Sequence, residues 1–123
     1  MIDHIGVQVN DLERSIAFYT KALAPLDYAL VMKWEAFAGF GVGGKPDFWI
    51  DGRKRPTDII HIAFRAAGRA QVRAFYAAAI AAGGKDNGAP GVRPQYHESY
   101  YGAFVLDPSG HNIEAVCHDP FLG

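Results

Sequence analysis

The chain has 123 residues, 50% of them hydrophobic and 20% charged, with a net charge of -1, which fits one domain with its own core. That charge balance excludes a strongly basic nucleic-acid binder or a partner of anionic membranes, and no apolar stretch is long enough to span a bilayer. A single cysteine, Cys117, excludes an intramolecular disulfide and suits a reducing compartment; no basic segment leads into an apolar run at the start, so a cytoplasmic location is expected.

Met1 to Val9 reads as a strand, because Ile5, Val7 and Val9 alternate with His4, Gly6 and Gln8. Asn10 or Asp11 can cap a helix beginning near Leu12, in which Leu12, Ile16, Tyr19 and Leu23 recur at helical spacing until Ala24-Pro25 stops it. Three short β-like runs follow, at 28–34, 36–42 and 48–50, the last two separated by Gly43-Gly44-Lys45-Pro46. A polar connector at 51–57, Asp-Gly-Arg-Lys-Arg-Pro-Thr, carries a basic cluster read as a solvated loop. Ile59 to Ala66 is a second alternating strand, and Arg69 to Ala82 an alanine-rich helix ended by Gly83-Gly84. Residues 85–95 hold four glycines and prolines, so an irregular loop with little strand is expected there. Tyr100 to Leu106 and Asn112 to His118 then form a hairpin about Asp107-Pro108-Ser109-Gly110.

The chain repeats itself. His4-Ile5, Ala17-Phe18-Tyr19 and Ala22 recur as His61-Ile62, Ala74-Phe75-Tyr76 and Ala79, each displaced by 57 positions, the mark of a duplicated supersecondary unit. The expected class is α+β: two βαβββ modules, 1–50 and 58–118, packed as one domain over 1–123. The repeat sets His4 and His61 at equivalent points. Alternation gathers His4, Gly6 and Gln8 on one face, His61, Ala63 and Arg65 on another, and Asn112, Glu114, Val116 and His118 on a third. With helices covering the opposite faces, two imidazoles and a carboxylate can converge on the uncovered side. Such a set binds a divalent first-row metal and leaves positions open for a substrate or water. The same residue types admit zinc, manganese, nickel or iron.

Beside these candidates, Trp49 is read as a wall of the pocket, with Gln8, Arg65 and Tyr100 facing the cavity. Arg65 can grip a carboxylate or phosphate, or pair with Glu98 or an aspartate on the surface. His97 and the tyrosines Tyr100 and Tyr101 are candidates for an acid, base or hydrogen-bond donor. His111 and His118 are read as structural, Cys117 as an inert core thiol, and Phe18, Tyr19, Phe75 and Tyr76 as core.

The strings Asp3-His4-Ile5-Gly6-Val7, Asn10-Asp11-Leu12 with Ala17-Phe18-Tyr19, Ile60-His61-Ile62-Ala63-Phe64, and Asp107-Pro108-Ser109-Gly110-His111-Asn112-Ile113-Glu114 resemble the vicinal oxygen chelate superfamily, the group of glyoxalase I, the bleomycin- and fosfomycin-resistance proteins and the extradiol dioxygenases. The resemblance covers nearly the whole chain. It implies an open, curved, barrel-like sheet with helices outside, a metal held by His4, His61 and Glu114, and Glu114 as a catalytic carboxylate. It further implies a small-molecule substrate whose adjacent oxygens chelate the metal, in isomerase, lyase, transferase or dioxygenase chemistry, and a homodimer with sites near the interface and sometimes swapped modules. The alternative it carries is a metal-free drug-binding protein of the bleomycin type. One departure stands out: where glyoxalase I has a second ligand glutamate, aligning the modules places Trp49, whose indole N–H only donates. That argues against lactoylglutathione lyase activity.

Overall fold

The computed structural model describes residues 1–118. Module one runs β1 (Ile5–Gln8), α1 (Leu12–Ala22), a 3-10 turn (Ala24–Leu26), β2 (Ala29–Lys33), β3 (Phe37–Val42) and β4 (Lys45–Asp51). Module two runs β5 (His61–Arg65), α2 (Arg69–Ala81), β6 (Lys85–Val92), β7 (Tyr101–Leu106) and β8 (Asn112–Cys117). The strands make two four-stranded mixed sheets with the same topology, β1-β4-β3-β2 and β5-β8-β7-β6. In each, the first strand lies parallel to the last while the other pairs are antiparallel. The sheets do not close into a barrel. Among the described residues no helix is long and apolar enough to cross a membrane.

Local chemistry explains most boundaries. The Asp11 side chain accepts from the Arg14 N–H at 3.1 Å and so caps α1. Gly43 and Gly44 both take positive φ, 64° and 78°, which lets a two-residue turn fold β3 back onto β4. That tight turn extends β4 to Lys45, three residues earlier than the apolar run alone marks. The expected loop at 85–95 is overturned over most of its length: Lys85–Val92 is a strand, β6. It sits at the sheet's edge, where proline and glycine are tolerated, and its register with β7 slips twice, around Gly88.

One core serves both modules. Phe18, Tyr19, Phe40 and Phe48 pack in one buried cluster with Phe64, Phe75, Val105 and Ile113. Phe48 and Phe64 meet edge to face across the two modules, centroids 5.2 Å apart. Polar ties cross the same boundary. The Tyr19 hydroxyl donates to the buried Asp107 carboxylate. His111 accepts the Ile60 N–H at Nδ1 and bonds the Gln8 carbonyl through Nε2.

Candidate functional site

Register decides which side chains share a face. In module one Gly6 pairs with Trp49, and Gly39 pairs with Trp49 from the other side. In module two Ala63 and Phe104 pair with Glu114 in the same way. Gly6 and Ala63 are equivalent by the repeat, so Trp49 occupies in module one the place that Glu114 occupies in module two. Val7, Val9, Phe64 and Ala66 turn to the core, whereas His4, Gly6, Gln8, His61, Ala63 and Arg65 remain exposed.

On the open face of the second sheet, Glu114 is only 1% exposed although it carries a carboxylate. Burial at that level demands partners, and both oxygens have them: Oε1 lies 3.0 Å from His61 Nε2, and Oε2 accepts the Tyr100 hydroxyl. Gly102 permits this close fit, since a Cβ there would stand 3.0 Å from Oε2. The His61 ring stacks on Phe104 at 6.1 Å. Burial first, and then the bond to Glu114, raise the Tyr100 pKa well above that of a free phenol. Behind Tyr100, His97 Nε2 and His118 Nδ1 are 2.7 Å apart, and both rings pack against the phenol.

On the open face of the first sheet, His4 lines a cavity of about 410 Å³ with Gly6, Trp34, Phe37, Trp49 and Arg53. Its Nδ1 lies 2.8 Å from Asp3. The Trp34 and Trp49 rings are 6.2 Å apart and tilted by 30°. Arg53 forks onto Asp51 through Nε and Nη2 while its guanidinium sits 4.6 Å above the Phe37 ring. The bond from Arg53 is the main cause of an Asp51 pKa below the usual carboxylate value.

His61 and Glu114 are thus brought together and His4 is not: among the described residues, no three His, Cys, Asp or Glu side chains gather as a metal site. The pair itself has suitable geometry, because two donors bonded at ~2.1 Å to one divalent ion stand about 3 Å apart.

The model of the Glyoxalase/Bleomycin resistance protein/Dioxygenase superfamily matches residues 1–115. The chain belongs to this superfamily. A glyoxalase/bleomycin resistance protein from Albidiferax ferrireducens is 29% identical with a TM-score of 0.81, over 94% of this chain and 97% of that one. A putative glyoxalase from Bacillus halodurans, 23% identical over 95% of each chain, scores 0.73. A lactoylglutathione lyase from Agrobacterium tumefaciens, 17% identical over 95% of this chain and 92% of that one, scores 0.71. The latter two show the fold alone. A comparison with curated proteins found no significant match.

Within the superfamily fold, the remaining candidates fall in three places. Tyr101 leaves the site: its ring is in the core, with the Arg69 guanidinium 4.8 Å above it, because alternation sends it to the side opposite its neighbour Tyr100. Gln8 and Arg65 are exposed beside the site, Gln8 near Asp51 and Arg53 and Arg65 along the groove between β1 and β5. In the same groove the Asp47 carboxylate accepts the Tyr28 hydroxyl at 3.1 Å. Sequence reasoning missed Trp34, Phe37 and Arg53 as pocket residues and read His118 apart from His97. Trp34 follows directly on β2 and Phe37 begins β3, and the Trp34 N–H bonds the Phe37 carbonyl across that turn. The brevity of the turn was the available signal.

Proposed function

We propose that this chain is a metal-dependent small-molecule enzyme of the superfamily, acting on a substrate that presents adjacent oxygens to a divalent ion. The observation that carries the reading is the nearly buried Glu114 carboxylate set 3.0 Å from the exposed face of His61. His61 and Glu114 would be two ligands, and His4 of a second copy the third, since His4 opens on the other sheet of its own chain. This makes the protein a homodimer with composite sites. A bound zinc, manganese, nickel or iron ion would supply Lewis-acid stabilisation of negative charge on the substrate oxygens. The chain's own groups would do the rest. Tyr100 holds the orientation of Glu114 through Oε2. In the His97–His118 pair one imidazole donates and the other accepts, which holds a proton beside Tyr100 for exchange with substrate.

Metal analysis of purified protein tests this. The expectation is one divalent ion per chain, lost in His61→Ala and in His4→Ala alike. Wild-type protein that takes up none of the four metals would overturn it. Trp49 in the place equivalent to Glu114 favours a second reading, a metal-free binding protein; tight ligand capture by chelator-treated protein without turnover would support that one.

A further inference from the structure

The cavity beside His4 is walled by flat rings and bordered by a cationic end. Both facts bear on its ligand. Trp49 lies flat over the neighbouring strand: a Cβ on Gly39 would come within 2.9 Å of both Cη2 and Cζ3 of its ring, so only glycine there allows the indole to lie down. Gly6 is the converse case, with nothing within 4 Å of where its Cβ would be; the space above it is open between the rings. Trp34, Trp49 and Phe37 then present π faces and edges to whatever enters, an arrangement that favours a planar aromatic group. The volume, about 410 Å³, is that of a small-molecule site.

Charge narrows the class. At one end Arg53 is fixed by Asp51 and by the Phe37 ring. Lys54 borders the adjoining hollow with Gln8, Asp51 and Arg53. Asp51, the single carboxylate there among the described residues, already accepts three bonds from the Arg53 side chain and one from its N–H. It offers little to a cationic ligand, and one positive charge is in excess at that end. We propose that this cavity binds an aromatic acid, its ring against Trp49 and Trp34 over Gly6 and its anionic group toward Arg53 and Lys54. The inference rests on the reading above that the open faces are the substrate side, and it names the class of molecule presented to His4.

The chain holds two tryptophans, and both line this cavity, so the two indole N–H resonances report on it. The test titrates chelator-treated protein with naphthoate, naphthylmethanol and naphthylmethylammonium, following those resonances and the heat of binding. Naphthoate should shift both resonances saturably and bind about tenfold more tightly than the alcohol, the order of one charge-assisted contact, and the ammonium should bind weakest. Arg53→Ala/Lys54→Ala should abolish the preference for naphthoate over the alcohol. Gly6→Leu should weaken all three ligands by about tenfold or more with thermal unfolding unchanged.

Equal affinity for the three compounds, tighter binding of the cation, or no saturable shift overturns the proposal on wild-type protein alone, whatever the variants do. Naphthoate binding without metal uptake would sink the enzyme reading and leave this one standing, and metal uptake without naphthoate binding would do the reverse.

Discussion

Three phenols each donate to a carboxylate: Tyr19 to Asp107, Tyr28 to Asp47 and Tyr100 to Glu114. In every case burial comes first in holding the proton on the phenol, followed by the bond to the carboxylate for Tyr28 and Tyr100 and by the carboxylate's charge for Tyr19, and all three pKa values are raised. Tyr28 is pushed up to about 12 from 10.0. Between those values the unfolded chain has lost the proton that the folded chain keeps, so stability falls as pH rises. The Tyr28 contribution is whole below pH 10 and gone above about 12. Urea unfolding across that window should show a steep alkaline loss, and Tyr28→Phe should make it shallower; an unchanged slope would mean that the proton is not held. At this scale the sequence was legible where alternation alone decided the face. His4, His61 and Glu114 were read from it, whereas the turn of Tyr101 into the core needed only the same parity, applied from Tyr100. Trp34 and Arg53 lie just past the ends of β2 and β4, where the pleat no longer dictates direction.

Elements were legible where local chemistry and periodicity agreed. The cap at Asp11, the glycine stop after α2 and the hairpin about Asp107-Pro108-Ser109-Gly110 all stand as read. The strand β6 was hidden by Gly88, Pro90 and Gly91, which lower strand propensity without forbidding an edge strand. The repeat itself was the missed signal: displaced by 57, the run at 29–33 falls at 86–90, within β6. Further on, the offset has grown to 65 at Trp49 and Glu114. The longer loop at 93–100 accounts for most of that growth, and it brings in His97 and Tyr100. Glycine also sets how the elements pack. A Cβ on Gly84 would stand 2.4 Å from Val105 Cγ1, 2.8 Å from Phe18 Cε1 and 2.9 Å from the Ala79 carbonyl oxygen. The carbonyl cannot yield without unwinding the end of α2. Gly84→Ala should therefore cost about 1–3 kcal/mol in urea unfolding. Gly68, the extended N-cap of α2 with open space around it, should accept Ser with a gain of a few tenths of a kcal/mol.

At the scale of the whole molecule, the duplication establishes equivalence between His4 and His61 but not which copy of each meets which. Sequence spacing permitted convergence within one chain, and the fold sends the two open faces to separate sheets joined through a common core. If the site is composite, His4 of one subunit works with His61 and Glu114 of the other, and complementation follows. A His4→Ala homodimer has two broken sites, and so does a His61→Ala homodimer. In a mixed dimer one site carries both lesions and the other carries neither. Unfolding the two variants together at equal amounts and refolding them gives half mixed dimers, so about a quarter of the wild-type metal sites should return. A site contained within one chain would recover nothing on mixing, because every chain carries a lesion. Recovery near a quarter, measured as metal bound per chain, requires the subunit exchange that the separation of His4 from the His61–Glu114 pair implies.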